Sequence, residues 1–362
     1  MRLPPVIDGH NDALLRVRRH GSSLLERSES GHLDAPRARE GGLAAGFFAV
    51  FVPGEDRIDW AAVADPPYEL PLGARVDTDR AALEAAATAD LLARSLAIVR
   101  TAEELERCVA GGPLGAILHL EGAEPIEPDL SNLEGWYERG LRAIGLVWSR
   151  PNAFAHGAPF RYPGSAEAGP GLTRAGRALV DACGRLGIAL DVSHLNTRGL
   201  RGVLRRARGP VVATHSNAHT VCPASRNLTD AELRAIAATG GVVGICFSVA
   251  MLRPDGGLDT RTPLADVVRH VDQVADKAGI DHVALGSDFD GAAIPDEIGD
   301  VTGLPRVLEA LRAAGYGDDD LRKIAHGNWL RVHSSATTRA RSASETSRSG
   351  ARDTPRSEGG RR

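Results

Sequence analysis

At 362 residues the chain is long enough for two average domains or one large barrel, and 43% hydrophobic with 25% charged residues describes a globular protein rather than a disordered or membrane-embedded one. A net charge of −4 gives no electrostatic reason to expect a nucleic-acid partner. No segment approaches the roughly 20 apolar residues that span a bilayer, and Met1 to His10 holds no apolar stretch fit for a signal peptide, so no membrane association and a cytoplasmic location are expected.

Eight short apolar runs, most of them β-branched, follow one another along the chain. They are Val6-Ile7, Phe47 to Val52, Ala116 to Leu120, Arg142 to Val147, Ile188 to Val192, Val211 to Ala213, Val242 to Phe247 and Val283 to Leu285. Helical segments with recognisable ends lie between most of them. Thr173 starts one that Gly187 stops. Thr229 and Glu232 have the spacing of a capping box, in which each side chain satisfies a free backbone N–H. Thr262-Pro263 opens a third, with proline at its first position, and Gly279 closes it.

Short strands alternating with helices of roughly 10–15 residues predict an α/β protein with a parallel sheet, and eight repeats close into a (β/α)8 TIM barrel. An open doubly wound sheet is the competing architecture. The barrel is preferred because the chemically useful residues end the first, third, fifth, sixth and eighth runs, and only a closed ring brings these to one axis. Residues 1–333 are expected to form this single catalytic domain. Residues 21–42 and 53–77, rich in Gly, Pro and charge, read as loop insertions. Residues 334–362 are a Ser/Arg-rich stretch with almost no apolar residue, expected to be a disordered, mildly basic tail. Cys108, Cys183, Cys222 and Cys246 are widely spaced, so buried free thiols are expected rather than disulfides or a thiolate zinc site.

The ends of the runs carry the chemistry. His10 and Asp12 are two residues apart, so on a strand both face one side and can meet one cation. Glu121 ends an apolar run, where a charge is costly to bury unless paired or bound to metal, and its two oxygens can bridge two ions. His194 and His215 end the fifth and sixth runs, adjacent in a barrel, where neutral imidazoles can hold a second ion. Asp288 lies in Gly-Ser-Asp-Phe-Asp-Gly, whose flanking glycines allow a sharp turn, with Asp290 as a support or turn former. Each of these alone has an ordinary alternative, a salt bridge or a hydrogen-bonded core histidine; together they read as a metal-dependent hydrolase. His119 is expected in a supporting role, and His156, His219, His282 and His326 carry no assignment.

The segments Asp8-Gly-His-Asn-Asp12, His119-Leu-Glu-Gly122, Asp191-Val-Ser-His194, Thr214-His-Ser-Asn217, Ser225-Arg-Asn227, Gly286-Ser-Asp-Phe-Asp-Gly291 and Gly327-Asn-Trp-Leu-Arg331 together resemble the membrane (renal-type) dipeptidase family, peptidase family M19 of the amidohydrolase superfamily. The matches are collinear from Ile7 to about Val332. The resemblance implies a distorted barrel holding two zinc ions and hydrolysing dipeptides, L,D-dipeptides included. It implies His10 and Asp12 on one zinc, His194 and His215 on the other, and Glu121 between them. Asp288 resembles the catalytic acid/base, and Arg226 the arginine that grips the substrate's terminal carboxylate. Two zinc ions sharing a water would lower its pKa, so that a bridging hydroxide attacks the scissile carbonyl.

One position departs from the pattern: animal members carry a substrate-contacting histidine where this chain has Trp148. Indole donates one hydrogen bond and carries no charge. Trp148 is therefore expected to shape the pocket while Arg150 or Asn152 supplies the missing donor. Manganese, cobalt or iron could replace zinc, since His and carboxylate ligands discriminate weakly. Hydrolysis of a lactone, β-lactam or N-acyl amino acid, and an inactive binding barrel, are the alternative functions. The expected partner is a small dipeptide, and a homodimer is compatible with the sequence.

Overall fold

The computed structural model describes residues 3–54, 63, 66–70 and 75–335. Most of the expected tail and much of the second insertion lie outside these residues. Ser334 and Ser335, placed in the tail by composition, instead complete a helical stretch over 328–335.

Eight parallel strands form the central sheet: β1 (Val6–Asn11), β2 (Leu43–Phe51), β3 (Gly115–Glu121), β4 (Leu141–Gly145), β5 (Ala189–Asp191), β6 (Val211–Ala213), β7 (Val242–Ile245) and β8 (Val283–Leu285). They neighbour one another in this order, each corresponding to one of the eight apolar runs. The ring is drawn shut past the last strand: Asp288 N donates to His10 O, Asp12 N donates to Phe289 O, and Asn11 and Phe289 form a parallel bridge. Three strands outside the ring went unread in the sequence. Ala97–Ile98 pairs alongside β3, and Tyr68–Leu70 pairs antiparallel with Phe160–Tyr162.

The helices start where their caps direct. Thr173 accepts from Gly176 N ahead of helix Arg174–Leu186, and Gly187 ends it in the left-handed conformation. Thr229 and Glu232 form the capping box of Asp230–Ala238. Pro263 is the residue preceding helix Leu264–Ala278 rather than its first, because its own backbone is extended, with φ −74° and ψ 152°. The first insertion contains a short helix, Ala35–Glu40, capped by Asp34.

Inside the ring, Ile7, Phe47, Ile117, Ala143, Ala189, Val212, Val242 and Ala284 give one buried side chain per strand to a cluster that also holds Trp329. Trp329 lies 4.9 Å from the Phe47 ring and donates to Leu285 O. Glycines on two strands make room for the indole: a Cβ at Gly9 would come within 2.5 Å of it and one at Gly244 within 3.1 Å. This apolar plug fills the floor of the barrel. The polar residues collect above it, at the carboxyl ends of the strands.

Candidate active site

The strand ends deliver the expected side chains to one place. Glu121 closes β3, and its Oε1 lies 3.6 Å from His10 Nε2, 3.0 Å from His194 Nε2 and 3.6 Å from His215 Nε2. The Nε2 atoms of His194 and His215 are 3.0 Å apart. Asp12 Oδ2 lies 3.4 Å from His10 Nε2. Donor atoms of His10, Glu121 and His215 cluster within 4.8 Å of one another, as do those of His10, Asp12 and Asp288.

The turn that presents Asp288 is held from several sides. Asp288 and Asp290 both adopt left-handed backbone, with φ of 63° and 66°. Such residues cost of order 1–3 kcal/mol and persist when their surroundings impose them. Here Ser287 donates its N–H and its hydroxyl to Asp8 at 2.7 and 2.8 Å, while Asp290 accepts from His32 N and Arg16 Nε. The flanking glycines serve another purpose than the turn. A Cβ at Gly286 would lie 1.9 Å from Thr214 O, and one at Gly291 would lie 2.2 Å from Asp12 Oδ2, so both are close-approach positions.

A cavity of about 470 Å³ opens over this cluster, lined on one side by Asp12, Glu121, His194, His215 and Asp288 and on the other by Trp148, Phe160, Met251 and Arg226. Asp288 keeps part of its surface open to this space. Arg226 Nη2 lies 3.2 Å from His215 Nε2, while Nε and Nη1, both buried, have no hydrogen-bond partner. Trp148 packs with tilted rings at 5.2–5.7 Å among Phe51, Phe160 and His194.

The profile of the membrane dipeptidase family, peptidase family M19, matches residues 1–347. The chain belongs to that family. It is thereby a metallo-dipeptidase of the M19 class. Among solved structures it resembles a metallopeptidase of Rhodobacter sphaeroides, crystallised with a phosphinate mimic of the dipeptide L-Ala-D-Ala. Identity is 45% and the TM-score 0.90, covering 94% of this chain and 100% of that one. It also resembles dipeptidase AC, another M19 metallopeptidase, at 45% identity and a TM-score of 0.88 over 92% of this chain and 99% of that one. A dipeptidase of Aspergillus oryzae, aclJ, is 29% identical over 355 residues, 94% of this chain and 80% of its own.

The electrostatics of the M19 site suit bound cations. Burial, together with the Asp12, Asp288 and Asp191 carboxylates, pushes the Glu121 carboxyl well above its usual range. Burial works against charge on His10, but Glu121, Asp12 and Asp288 outweigh it and raise its pKa to about 10, so this spot favours positive charge. Burial, Arg226 and His10 push His194 and His215 well below the usual imidazole range, leaving them neutral and able to coordinate. Excess buried carboxylate facing neutral imidazoles is a mixed nitrogen and oxygen donor set that fits zinc or a similar divalent ion. Asp12 Oδ1 and His10 Nδ1, both buried, lack hydrogen-bond partners.

Two sequence expectations need correction. Arg150 does not offer a donor to the cavity: its Nη2 is bound to Val52 O, its Nε pairs with Glu124 at 3.3 Å, and its guanidinium lies 5.4 Å from the Trp148 ring. Asn152 is equally engaged, donating to Leu146 O and accepting from Phe154 N and Ala155 N. Neither lines the cavity. Both have buried backbone groups to satisfy, and these claim their polar atoms.

The sequence reading missed the groups behind the histidines. Ser149 Oγ lies 2.8 Å from His194 Nδ1, and Thr214 Oγ1 lies 2.9 Å from His215 Nδ1. Asp191 stands beneath them: burial favours its neutral form, but His119, Ser193 and Thr214 outweigh this and hold its carboxyl below the usual range. The one available signal was adjacency, since Thr214 directly precedes a candidate ligand and Asp191 lies three before another. Among the described residues, no helix is long and apolar enough to cross a membrane. All four cysteines are free and buried, as expected.

Proposed function

We propose that this chain is a binuclear zinc dipeptidase that cleaves dipeptides, L,D-dipeptides included, with Asp288 as general acid and base. The observation that carries this reading is the convergence of Glu121 with His10, His194 and His215 beneath a cavity whose wall holds an arginine with unpaired nitrogens. His10 and Asp12 would hold one ion, His194 and His215 the other, with Glu121 between them. Bound there, the pair would supply Lewis-acid polarisation of the scissile carbonyl and a water acidified toward neutrality.

The protein's own groups supply the remainder. Asp288, half-open to the cavity, has its carboxyl raised to about 6 by burial and the nearby Asp12, against the opposing pull of His10. A base with a pKa near the working pH transfers protons efficiently in both directions. It takes the proton from the attacking water and delivers it to the departing amine. Arg226 turns its unpaired Nε and Nη1 to the terminal carboxylate, a two-point match that a longer peptide cannot offer at this depth. Trp148, packed against Phe160, forms part of the cavity wall. The L-Ala-D-Ala mimic bound by the Rhodobacter protein supports the substrate class.

The test is hydrolysis of L-Ala-D-Ala by the purified protein loaded with Zn2+, then stripped by chelator and reloaded. Activity should disappear and return. Arg226→Met should raise KM for the dipeptide by about 10- to 150-fold, the range of a hydrogen bond to a charged group, and barely affect a neutral ester. Full turnover in the stripped protein, or equal damage to ester and dipeptide, would overturn the proposal.

A further inference from the structure

The polar layer directly beneath the cavity contains hydrogen-bond logic that leaves little choice of proton position. Asp191 Oδ1 accepts from Ser193 N at 3.0 Å, Ser193 Oγ at 2.6 Å and Thr214 N at 2.9 Å. Its Oδ2 accepts from Thr214 Oγ1 at 2.7 Å and faces His119 Nε2 at 3.2 Å. A carboxylate surrounded by donors acts only as an acceptor. The Thr214 hydroxyl has a single hydrogen, and Asp191 takes it. Thr214 Oγ1 can then only accept from His215 Nδ1, 2.9 Å away, so that nitrogen must carry a proton. A neutral imidazole protonated at Nδ1 presents the lone pair of Nε2, the atom that faces Glu121 and His194. The main chain of His215 is held by the same group, since its N–H donates to Ser193 Oγ, whose own hydrogen goes to Asp191.

We propose that Asp191 is a positioning residue for His215, acting through the Thr214 hydroxyl to fix the imidazole in the tautomer that offers Nε2 to a metal ion. The relay rests on the reading of His215 as a ligand. It is one hydroxyl longer than the common arrangement in which a carboxylate contacts a ligating histidine directly. His10 contrasts with it, for its Nδ1 has no hydrogen-bond partner. The ion position at His194 and His215 is therefore prepared in advance, and loss of the relay should fall on one ion of the two.

Titration of the metal-free protein with Zn2+ against a chromogenic chelator measures both affinities. Thr214→Val, which keeps the shape and loses the hydroxyl, should weaken one equivalent by about 10- to 100-fold, and Thr214→Ser should restore it. Asp191→Asn reverses the relay: its amide donates to Thr214 Oγ1, the hydroxyl turns to His215 Nδ1, and the proton moves to Nε2, blocking coordination. It should weaken the same equivalent. A Thr214→Val that weakened both equivalents alike, or a Thr214→Ser that failed to restore the one lost, would reduce the result to general loosening and overturn the proposal.

Nitrogen-15 NMR of the metal-free wild-type protein provides a readout independent of the variants' folding. It should show His215 protonated at Nδ1, and a proton at Nε2 instead would refute the relay. Wild-type protein that takes up no Zn2+ would contradict the proposed function, leaving the tautomer measurement to decide the relay.

Discussion

At the floor of the barrel each of the eight strands gives an apolar side chain to the cluster that holds Trp329, whereas at the mouth five of them lead into imidazoles and carboxylates that gather close together. Floor residues gain from leaving water, at roughly 25 cal/mol per Å² of apolar surface. Mouth residues lose by it, since each desolvated ion costs several kcal/mol unless compensated. The strands are anchored at one end so that charged groups can be held together at the other. Substitutions at the two ends should therefore separate stability from catalysis.

The largest effect is expected at the mouth. Asp288→Asn should lower kcat by about 10²- to 10⁴-fold, the range for a general base. It should leave the Tm of the metal-free protein unchanged or raised, because it removes a carboxyl that burial and Asp12 already disfavour in charged form. Kinetics and calorimetry on one preparation would check both, and a large fall in Tm would break the contrast.

The floor should respond in the opposite sense. Trp329→Ala empties the plug and should cost about 3–5 kcal/mol in urea unfolding, with kcat of the folded fraction little changed. If catalysis collapsed while stability held, floor and mouth would not be separable as described.

A smaller effect belongs to the flank that supports β6. His270 accepts from Ala218 N through Nδ1 and donates through Nε2 to Leu252 O, so both nitrogens are engaged in the neutral form. Burial pushes its pKa down to about 4. The unfolded chain, titrating near 6.5, then binds more protons than the folded one. Stability should be complete above about pH 6.5 and decline as pH falls toward 4, by up to about 3 kcal/mol. Urea midpoints measured across this window should fall with pH in the wild type and less steeply in His270→Gln. Identical slopes would remove His270 from the account.

Much of the architecture was legible because it repeats locally. Apolar runs such as Val211–Ala213 and Val283–Leu285 became barrel strands, and the cap residues Thr173 and Thr229 began their helices. The strands Tyr68–Leu70 and Phe160–Tyr162 were illegible: they are three residues each and gain their hydrogen bonds only by meeting across a distance of about ninety positions. The cluster of His10, Glu121, His194 and His215 was legible for the same reason as the strands, since a polar residue ending an apolar run is a local pattern.

Spacing alone thus determined the strand order, the end of the barrel that carries chemistry, and the residue types assembled there. The fold decided which polar atoms remain available. Arg150 and Arg226 look alike in sequence, yet Val52 and Glu124 occupy the first while two nitrogens of the second stay unpaired in the cavity wall. The hydroxyl beside His215 is engaged likewise by Asp191, more than twenty residues earlier. Hydrogen-bond partners are chosen by proximity in space, and proximity between distant segments exists only once the barrel has closed.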